Sequence, residues 1–207
     1  MKISIITVGP IQANCYLVYD EQSKDALVID PGDEGTRISK EIEKLGLKVK
    51  YIVNTHGHHD HIGGNQVLKK ATGAKLCIHE ADSAMLTSPK YNFSLSFVNG
   101  EVHSPEADVF VKDGDSLAVG ELQFKILHTP GHSQGGICLV GEGVCFSGDT
   151  LFAESIGRTD LPGGSTEEIL NSIRTKLLVL AEDTVVYPGH GPQTTIGHEK
   201  RANPYLR

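Results

Sequence analysis

The sequence predicts an α/β fold built as a four-layer αββα sandwich: two mixed, mostly antiparallel sheets packed face to face, with helices outside. Three observations predict it. Short apolar, β-branched runs alternate with amphipathic helical stretches along the whole 207-residue chain. Several of those runs end in an acid or a histidine next to Gly or Pro. Finally, Thr55-His56 through Gly63-Gly64 is echoed by His128-Thr129 through Gly135-Gly136, as two similar halves would give.

Taken in order, residues 2–8 form a first apolar run that stops at Gly9-Pro10, and 15–19 and 25–30 form the next two, the latter closing on Asp30-Pro31-Gly32. From Glu34 to Leu45 the spacing of Ile38, Ile42 and Leu45 marks an amphipathic helix with Gly46 as its stop. A strand over 49–54 runs into His56-Gly57-His58-His59-Asp60-His61, and a helix follows from Ile62 to Ala71. After a strand at 75–78, the stretch Ser88 to Ala107 carries little pattern and reads as a long surface loop. Strands at 108–111, 115–119 and 121–127 lead to His128-Thr129-Pro130-Gly131-His132, and those at 136–140 and 143–147 lead to Ser147-Gly148-Asp149-Thr150. Ser165-Thr166-Glu167-Glu168 opens a helix through Leu178 with an N-cap and an acidic first turn. A last strand, 183–187, ends in Pro188-Gly189-His190, and the tail His198 to Arg201 reads as a solvated helix face.

The chain is long enough for one large core, and 39% hydrophobic with 22% charged residues is ordinary globular usage, so a single domain over residues 1–207 is expected. A net charge of −7 without a Lys/Arg block argues against nucleic acid as a partner. No apolar run approaches bilayer length, which argues against a membrane, and the first residues are too short for a secretory signal. Cys15, Cys77, Cys138 and Cys145 form no Cys-x-x-Cys pair and read as buried free thiols of a cytoplasmic protein. Oligomeric state is left open.

Four histidines and a carboxylate within six residues point to a site for a divalent metal such as zinc or iron. An internal histidine loop exposed to solvent is the competing reading. It gives no reason for further acids and histidines at other strand ends. His56 and His58, two residues apart on an extended segment, leave the same face, whereas Asp60 and His61 sit where the chain turns into a helix. The candidate ligands therefore divide into His56, His58 and His132 for one ion and Asp60, His61 and His190 for a second, with Asp149 bridging. Two divalent ions, zinc foremost with iron or manganese as alternatives, would carry a small residual positive charge suited to a developing oxyanion. Asp60 and Asp149 are thus candidate catalytic residues. Asp30 is expected behind the ligands, accepting a hydrogen bond from the free ring nitrogen of a ligand histidine. The remaining histidines read as structural or exposed, with His128 the first candidate for an exception.

THGHHDHIGG, HTPGHSQGG, SGDT and YPGH, with DPG before them, resemble the motif set of the metallo-β-lactamase fold hydrolases from about Asp30 to His190. The phrase GDTLFAESIGRTDLPGGS most resembles the glyoxalase II branch, the hydroxyacylglutathione hydrolases. The resemblance implies the same αββα fold, two metal ions, and hydrolysis of S-lactoylglutathione or a related acyl thioester by a hydroxide bridging the ions. It also marks departures. The C-terminal helical domain of that branch has no counterpart here. Where the family places a lysine and then a tyrosine near substrate, this chain has Arg158 and Asp160, and Gly191-Pro192-Gln193-Thr194 replaces a tyrosine-bearing stretch. Arg158 could still clamp a substrate carboxylate, and an open cleft with weak acyl discrimination is expected. The competing readings are a persulfide dioxygenase with a single iron and a non-catalytic metal-binding protein. A β-lactamase is disfavoured by Asp149, and an RNA-processing nuclease by the missing inserted domain and basic surface.

Overall fold

A computed structural model of the chain describes residues 1–98 and 100–207. In chain order its first half contains β1 (Lys2–Val8), β2 (Ala13–Tyr19), β3 (Asp25–Ile29), α1 (Gly35–Leu45), β4 (Lys48–Val53), α2 (His59–Ile62), α3 (Asn65–Thr72), β5 (Lys75–His79), a 3-10 turn (Glu80–Asp82), α4 (Ser83–Thr87), α5 (Ser94–Phe97) and β6 (Val109–Val111). The second half follows as β7 (Ser116–Val119), β8 (Leu122–His128), β9 (Ile137–Gly141), β10 (Val144–Gly148), β11 (Leu151–Phe152), β12 (Ser155–Ile156), α6 (Thr166–Ser172) continued by a π turn (Ile173–Leu177), β13 (Val185–Pro188), β14 (Thr194–Thr195) and α7 (Ile196–Ala202).

Two six-stranded sheets result, ordered β1-β2-β3-β4-β5-β6 and β14-β13-β10-β9-β8-β7. The alternation of side chains along each strand explains why they stack as layers. On β2, Cys15 and Leu17 face one apolar cluster while Tyr16 and Val18 face another, and β3 divides Ala26 and Val28 from Leu27 and Ile29 in the same way. Between the sheets lie Tyr16, Leu27, Ile29, Phe124, Ile126 and Phe146. Outside the first sheet, Ile38 and Ile42 of α1 and Leu68 of α3 close one further layer, and outside the second, Cys138 and Cys145 meet Ile169 of α6 and Ile196 of α7. Three apolar layers between four structural ones are the expected αββα sandwich.

The second sheet is antiparallel except for β10 beside β13. The first is more evenly mixed than expected: β1, β2 and β3 pair antiparallel, but β3-β4, β4-β5 and β5-β6 are all parallel. The cause is connectivity, because α1, α3 and the segment after β5 are crossovers that return the chain in the same direction. Helix ends behave as their residues dictate. Gly46 takes φ +65° and returns its N–H to Ile42 and Glu43 carbonyls, and Ser165 Oγ accepts from Glu168 N–H at the start of α6.

The stretch 88–107 differs from the surface loop expected there. It contains α5, and Asn92, Ser94 and Ser104 are buried, because Asn92 Nδ2 donates to the Met85 and Val102 carbonyls and draws the segment onto the body. Asn99, within that stretch, lies outside the described residues. The tail is helical but not wholly solvated: Glu199 is fully buried, its carboxylate accepting from Glu154 N–H, Thr194 Oγ1 and Asn203 Nδ2. All four cysteines are free and buried. No helix among the described residues is long and apolar enough to cross a membrane.

Candidate metal centre

The residues singled out at strand ends converge on one edge of the sandwich. His56 and His58 follow β4, Asp60 and His61 lie on α2, His132 follows β8, Asp149 follows β10 and His190 follows β13. The short helix α2 exists because Gly63 and Gly64 donate back to the Gly32 and Pro31 carbonyls, which pins the His-rich turn against the Asp30-Pro31-Gly32 corner. Within this edge, donor atoms of His56, His58 and His132 lie within 4.8 Å of one another, as do those of Asp60, His61 and His190. A third group, His56, His61 and Asp149, joins the two at the same spacing. Asp149 Oδ1 is 3.5 Å from His61 Nε2, while its Oδ2 is 3.5 Å from His132 Nε2 and 3.7 Å from His190 Nε2. Gly189 makes that approach feasible, since a Cβ there would collide with Asp149 Oδ1 and the His61 ring.

Hydrogen bonds behind the donors set the ring orientations. His132 Nδ1 donates to the Arg158 carbonyl at 2.8 Å and His190 Nδ1 to the Ile11 carbonyl at 3.2 Å. A carbonyl only accepts, so both rings carry their proton on Nδ1 and turn Nε2 inward. Asp30, at φ +49°, accepts from Thr55 N–H and Thr55 Oγ1 and comes within 3.0 Å of His61 Nδ1. That last approach is off the line of a hydrogen bond, so it is a close charge contact that faces the back of the ring.

Among the described residues, the buried side-chain polar atoms without a hydrogen-bond partner are His56 Nε2, both His61 nitrogens and Asp149 Oδ1, all inside this cluster. Unpartnered groups of this kind cost about 1–3 kcal/mol each when nothing else satisfies them. Their concentration at one point, among imidazoles and carboxylates with no thiol, is the donor set of a divalent transition metal. The electrostatics divide the cluster. Burial, with His61, His58 and His132 nearby, holds His56 well below the ordinary imidazole pKa, and burial and His132 do the same to His58. Burial also opposes a proton on His61, but Asp60, Asp149 and Asp30 outweigh it and push His61 well up. His190 is raised by Asp60 and Asp149 against its own desolvation. Burial works to raise the Asp60 carboxyl, yet His61 and His190 hold it well below the usual carboxylate range.

A cleft of about 300 Å³ opens onto the cluster, lined by His58, Asp60, His132, Asp149 and His190 together with Ile11, His59, Phe93, Phe97, Arg158 and Leu161. Arg158 lies there as the sequence suggested, but its guanidinium is bidentate on Asp160 at 2.8 Å for both bonds and sits over the Phe97 ring. Its backbone, not its side chain, serves the cluster. The other histidines stand apart: His128 stacks on His79 and donates to the Gln134 carbonyl, His103 pairs with Glu101, and His198 with Glu154.

Sequence reasoning missed Asp82. Fully buried, it accepts from Gly57 N–H and Ser133 Oγ with Oδ2 and from Gly135 N–H with Oδ1, tying the turn that holds His56 and His58 to the turn that holds His132. The signal was present, since β5 is one more strand with an acid just beyond its carboxyl end. Asn54 was missed as well; its Nδ2 donates to the His61 carbonyl and braces α2.

Residues 8–190 match the family described as the Metallo-beta-lactamase superfamily. The hydroxyacylglutathione hydrolase GloC of Haemophilus influenzae is 41% identical over 100% of this chain and 98% of its own length. Among solved structures, BLEG-1, a B3 metallo-beta-lactamase, superposes with a TM-score of 0.95 at 38% identity over 99% of both chains. TTHA1623 in a di-iron-bound form gives a TM-score of 0.87 at 34% identity over 98% of this chain and 100% of that one. The motif order, the layered fold and these full-length matches agree: the chain belongs to the metallo-beta-lactamase superfamily.

Proposed function

We propose that this protein is a dinuclear-metal hydrolase of acyl thioesters, of the kind represented by hydroxyacylglutathione hydrolase. In this reading His56, His58 and His132 hold one divalent ion, Asp60, His61 and His190 hold the other, and Asp149 lies between them. The superfamily binds metal ions. The observation that supports the reading most is the pair of donor groups joined through His56, His61 and Asp149 beneath one cleft. When bound, such a metal pair polarises a carbonyl oxygen and lowers the pKa of a coordinated water to about 7. Zinc is the first choice, with iron or manganese suited to the same donors.

The chain's own residues favour a thioester over an ester or amide. Outside the donor groups the described residues of the cleft include no Lys, Tyr, Cys or further carboxyl that could protonate a poor leaving group. His59 is stacked on Phe97 with Nδ1 engaged by the Asn92 carbonyl, and Arg158 is held by Asp160. A thiolate, whose conjugate acid has a pKa of about 8.5, leaves without such help. In the overall reaction the oxygen of water adds to the thioester carbonyl carbon, the C–S bond breaks with its electron pair on sulfur, and a carboxylic acid and a thiol are released.

The test is an assay of the protein reconstituted with zinc, iron or manganese against acyl-glutathione, acyl-coenzyme A, lactone, phosphodiester and β-lactam substrates. Thioester turnover with two ions bound per chain is the expected result. Turnover confined to the β-lactam would instead follow the likeness to BLEG-1. A single bound iron with oxygen uptake on a persulfide substrate would replace the hydrolase reading with that of a dioxygenase.

A further inference from the structure

The walls of the cleft are unequal. On one side Ile11, Phe93, Phe97 and Leu161 border the donor cluster. Ile11 is 50% and Phe97 53% exposed, although the large apolar residues of this chain mostly lie inside its three core layers. Phe93 holds φ +64°, a conformation that is costly for a bulky side chain and persists where the surroundings enforce it. The enforcement comes from Asn92, whose Oδ1 accepts from Ser94 N–H while its Nδ2 is anchored on two carbonyls, and the result is a phenyl ring edge-on to His58 at 5.2 Å. On the other side a larger compartment of about 530 Å³ shares Ile11, His59 and Asp60 with the first and is the more polar of the two, with Asp33, Gln66 and Glu101 standing among Val8, Val98 and Val102 in its wall. Among the described residues neither compartment presents a lysine, and the one arginine, Arg158, is committed to Asp160.

We propose that the apolar side is an acyl subsite for an aliphatic or aromatic acyl group, so that the preferred substrate is an apolar acyl thioester rather than a hydroxyacyl one. This rests on the thioesterase reading above. The smaller, more apolar compartment receives the acyl group and the larger, mixed one receives the thiol carrier. An exposed aromatic lip beside a reactive centre gains from covering an apolar group and gains nothing from a hydroxyl, which would lose water without finding a donor or acceptor on Phe93, Phe97, Ile11 or Leu161. Among the described residues no Lys or free Arg stands in either wall to grip a carrier carboxylate, so selectivity resides in the acyl part.

The experiment holds the carrier constant and neutral, using acetyl, butyryl, hexanoyl, phenylacetyl and lactoyl thioesters of N-acetylcysteamine with the metal-loaded protein. Full burial of a methylene corresponds to about a fourfold gain, so kcat/KM should rise about two- to fourfold per methylene from acetyl to hexanoyl, with lactoyl below butyryl. Phe97→Ala should flatten the series, lowering hexanoyl about tenfold and acetyl less than threefold, and Phe97→Leu should restore much of the slope. Calorimetry with ketone analogues, in which CH₂ replaces the sulfur, gives a readout independent of turnover and is run on metal-loaded and metal-free protein. Affinity that climbs with acyl length supports the subsite even if no thioester is hydrolysed, an outcome that would defeat only the thioesterase reading. Thioester turnover with a flat series, or with lactoyl preferred, together with affinities independent of acyl length, overturns the subsite and leaves the thioesterase reading in place.

Discussion

Asp149 has carboxylate oxygens directed at histidines of both donor groups, and one of those oxygens is buried without a hydrogen-bond partner. Removing it takes no member from the apolar layers, since Asp149 belongs to none of them. Asp149→Ala should therefore keep its circular dichroism while losing more than about a hundredfold in turnover, since even partners one step behind a metal ligand are worth ten- to a hundredfold. Metal analysis of the same variant should fall below two ions per chain; full stoichiometry with near-normal turnover would show that Asp149 is no bridge. Arg158 leads to the opposite expectation. Its guanidinium already has a carboxylate partner, and the atom that serves the cluster is its carbonyl, which Arg158→Ala retains. Steady-state kinetics of that variant should show KM for carboxylate-bearing thioesters within about twofold of the parent, because uniform binding is lost only where a contact existed. A KM raised tenfold for those substrates alone would show that the guanidinium leaves Asp160 to grip them.

Strands β1 to β10 and β13, with α1, α3 and α6, were legible in the sequence because each carries several β-branched or periodic apolar residues between turn formers, and the donor residues at their ends were legible because His and Asp are costly there without a purpose. What escaped detection had no such period. β11, β12 and β14 are two residues long, α5 is four, and the parallel pairing of β3 through β6 depends on which strands become neighbours, a property of the folded chain. Asp82 stands just beyond β5, as the donor acids stand beyond their strands, but its role depends on partners 25, 51 and 53 residues away. It joins the 3-10 turn after β5 to the turns following β4 and β8, so it aligns the two donor-bearing segments with each other. Burial raises its pKa, against the lowering influence of Ser133, Gly135 and Gly57. Asp82→Asn replaces one accepting oxygen by a donor that faces another donor. With a buried unsatisfied pairing worth about 1–3 kcal/mol and about 2–4 °C per kcal/mol for a chain of this size, the thermal midpoint should drop by about 2–12 °C. Metal affinity should weaken with it. An unchanged midpoint and unchanged affinity would reduce Asp82 to a bystander.

The donor groups draw His56, His58, Asp60 and His61 from the half of the chain that forms the first sheet and His132, Asp149 and His190 from the half that forms the second, so bound metal links the two sheets of the sandwich. Ligation that occurs only in the folded state stabilises it by mass action, about 4 kcal/mol at a thousandfold excess over Kd. For a chain of this length that corresponds to a midpoint about 8–16 °C higher in loaded than in chelated protein. The gap should depend on pH in a definite sense. His61 and His190 have folded-state pKa values raised by Asp60 and Asp149, so in the metal-free protein their protonated forms contribute stability that is fully present below the unfolded value of about 6.5 and is lost as pH rises through the raised values. His56 and His58, held low by burial, are neutral in both states above that pH and add no slope there. Metal binding needs neutral imidazoles, so the Asp60, His61 and His190 group must release protons to load, and its affinity rises over the same range. Both effects act in one direction: the metal-free protein weakens and the loaded protein does not as pH climbs above about 6.5. Differential scanning calorimetry with and without chelator at half-unit pH steps should show the gap widening, and titration calorimetry in buffers of different ionisation enthalpy should show protons released with the second ion more than with the first. A gap that narrows with rising pH would mean that the carboxylates around His61 do not hold a proton on it in the metal-free protein.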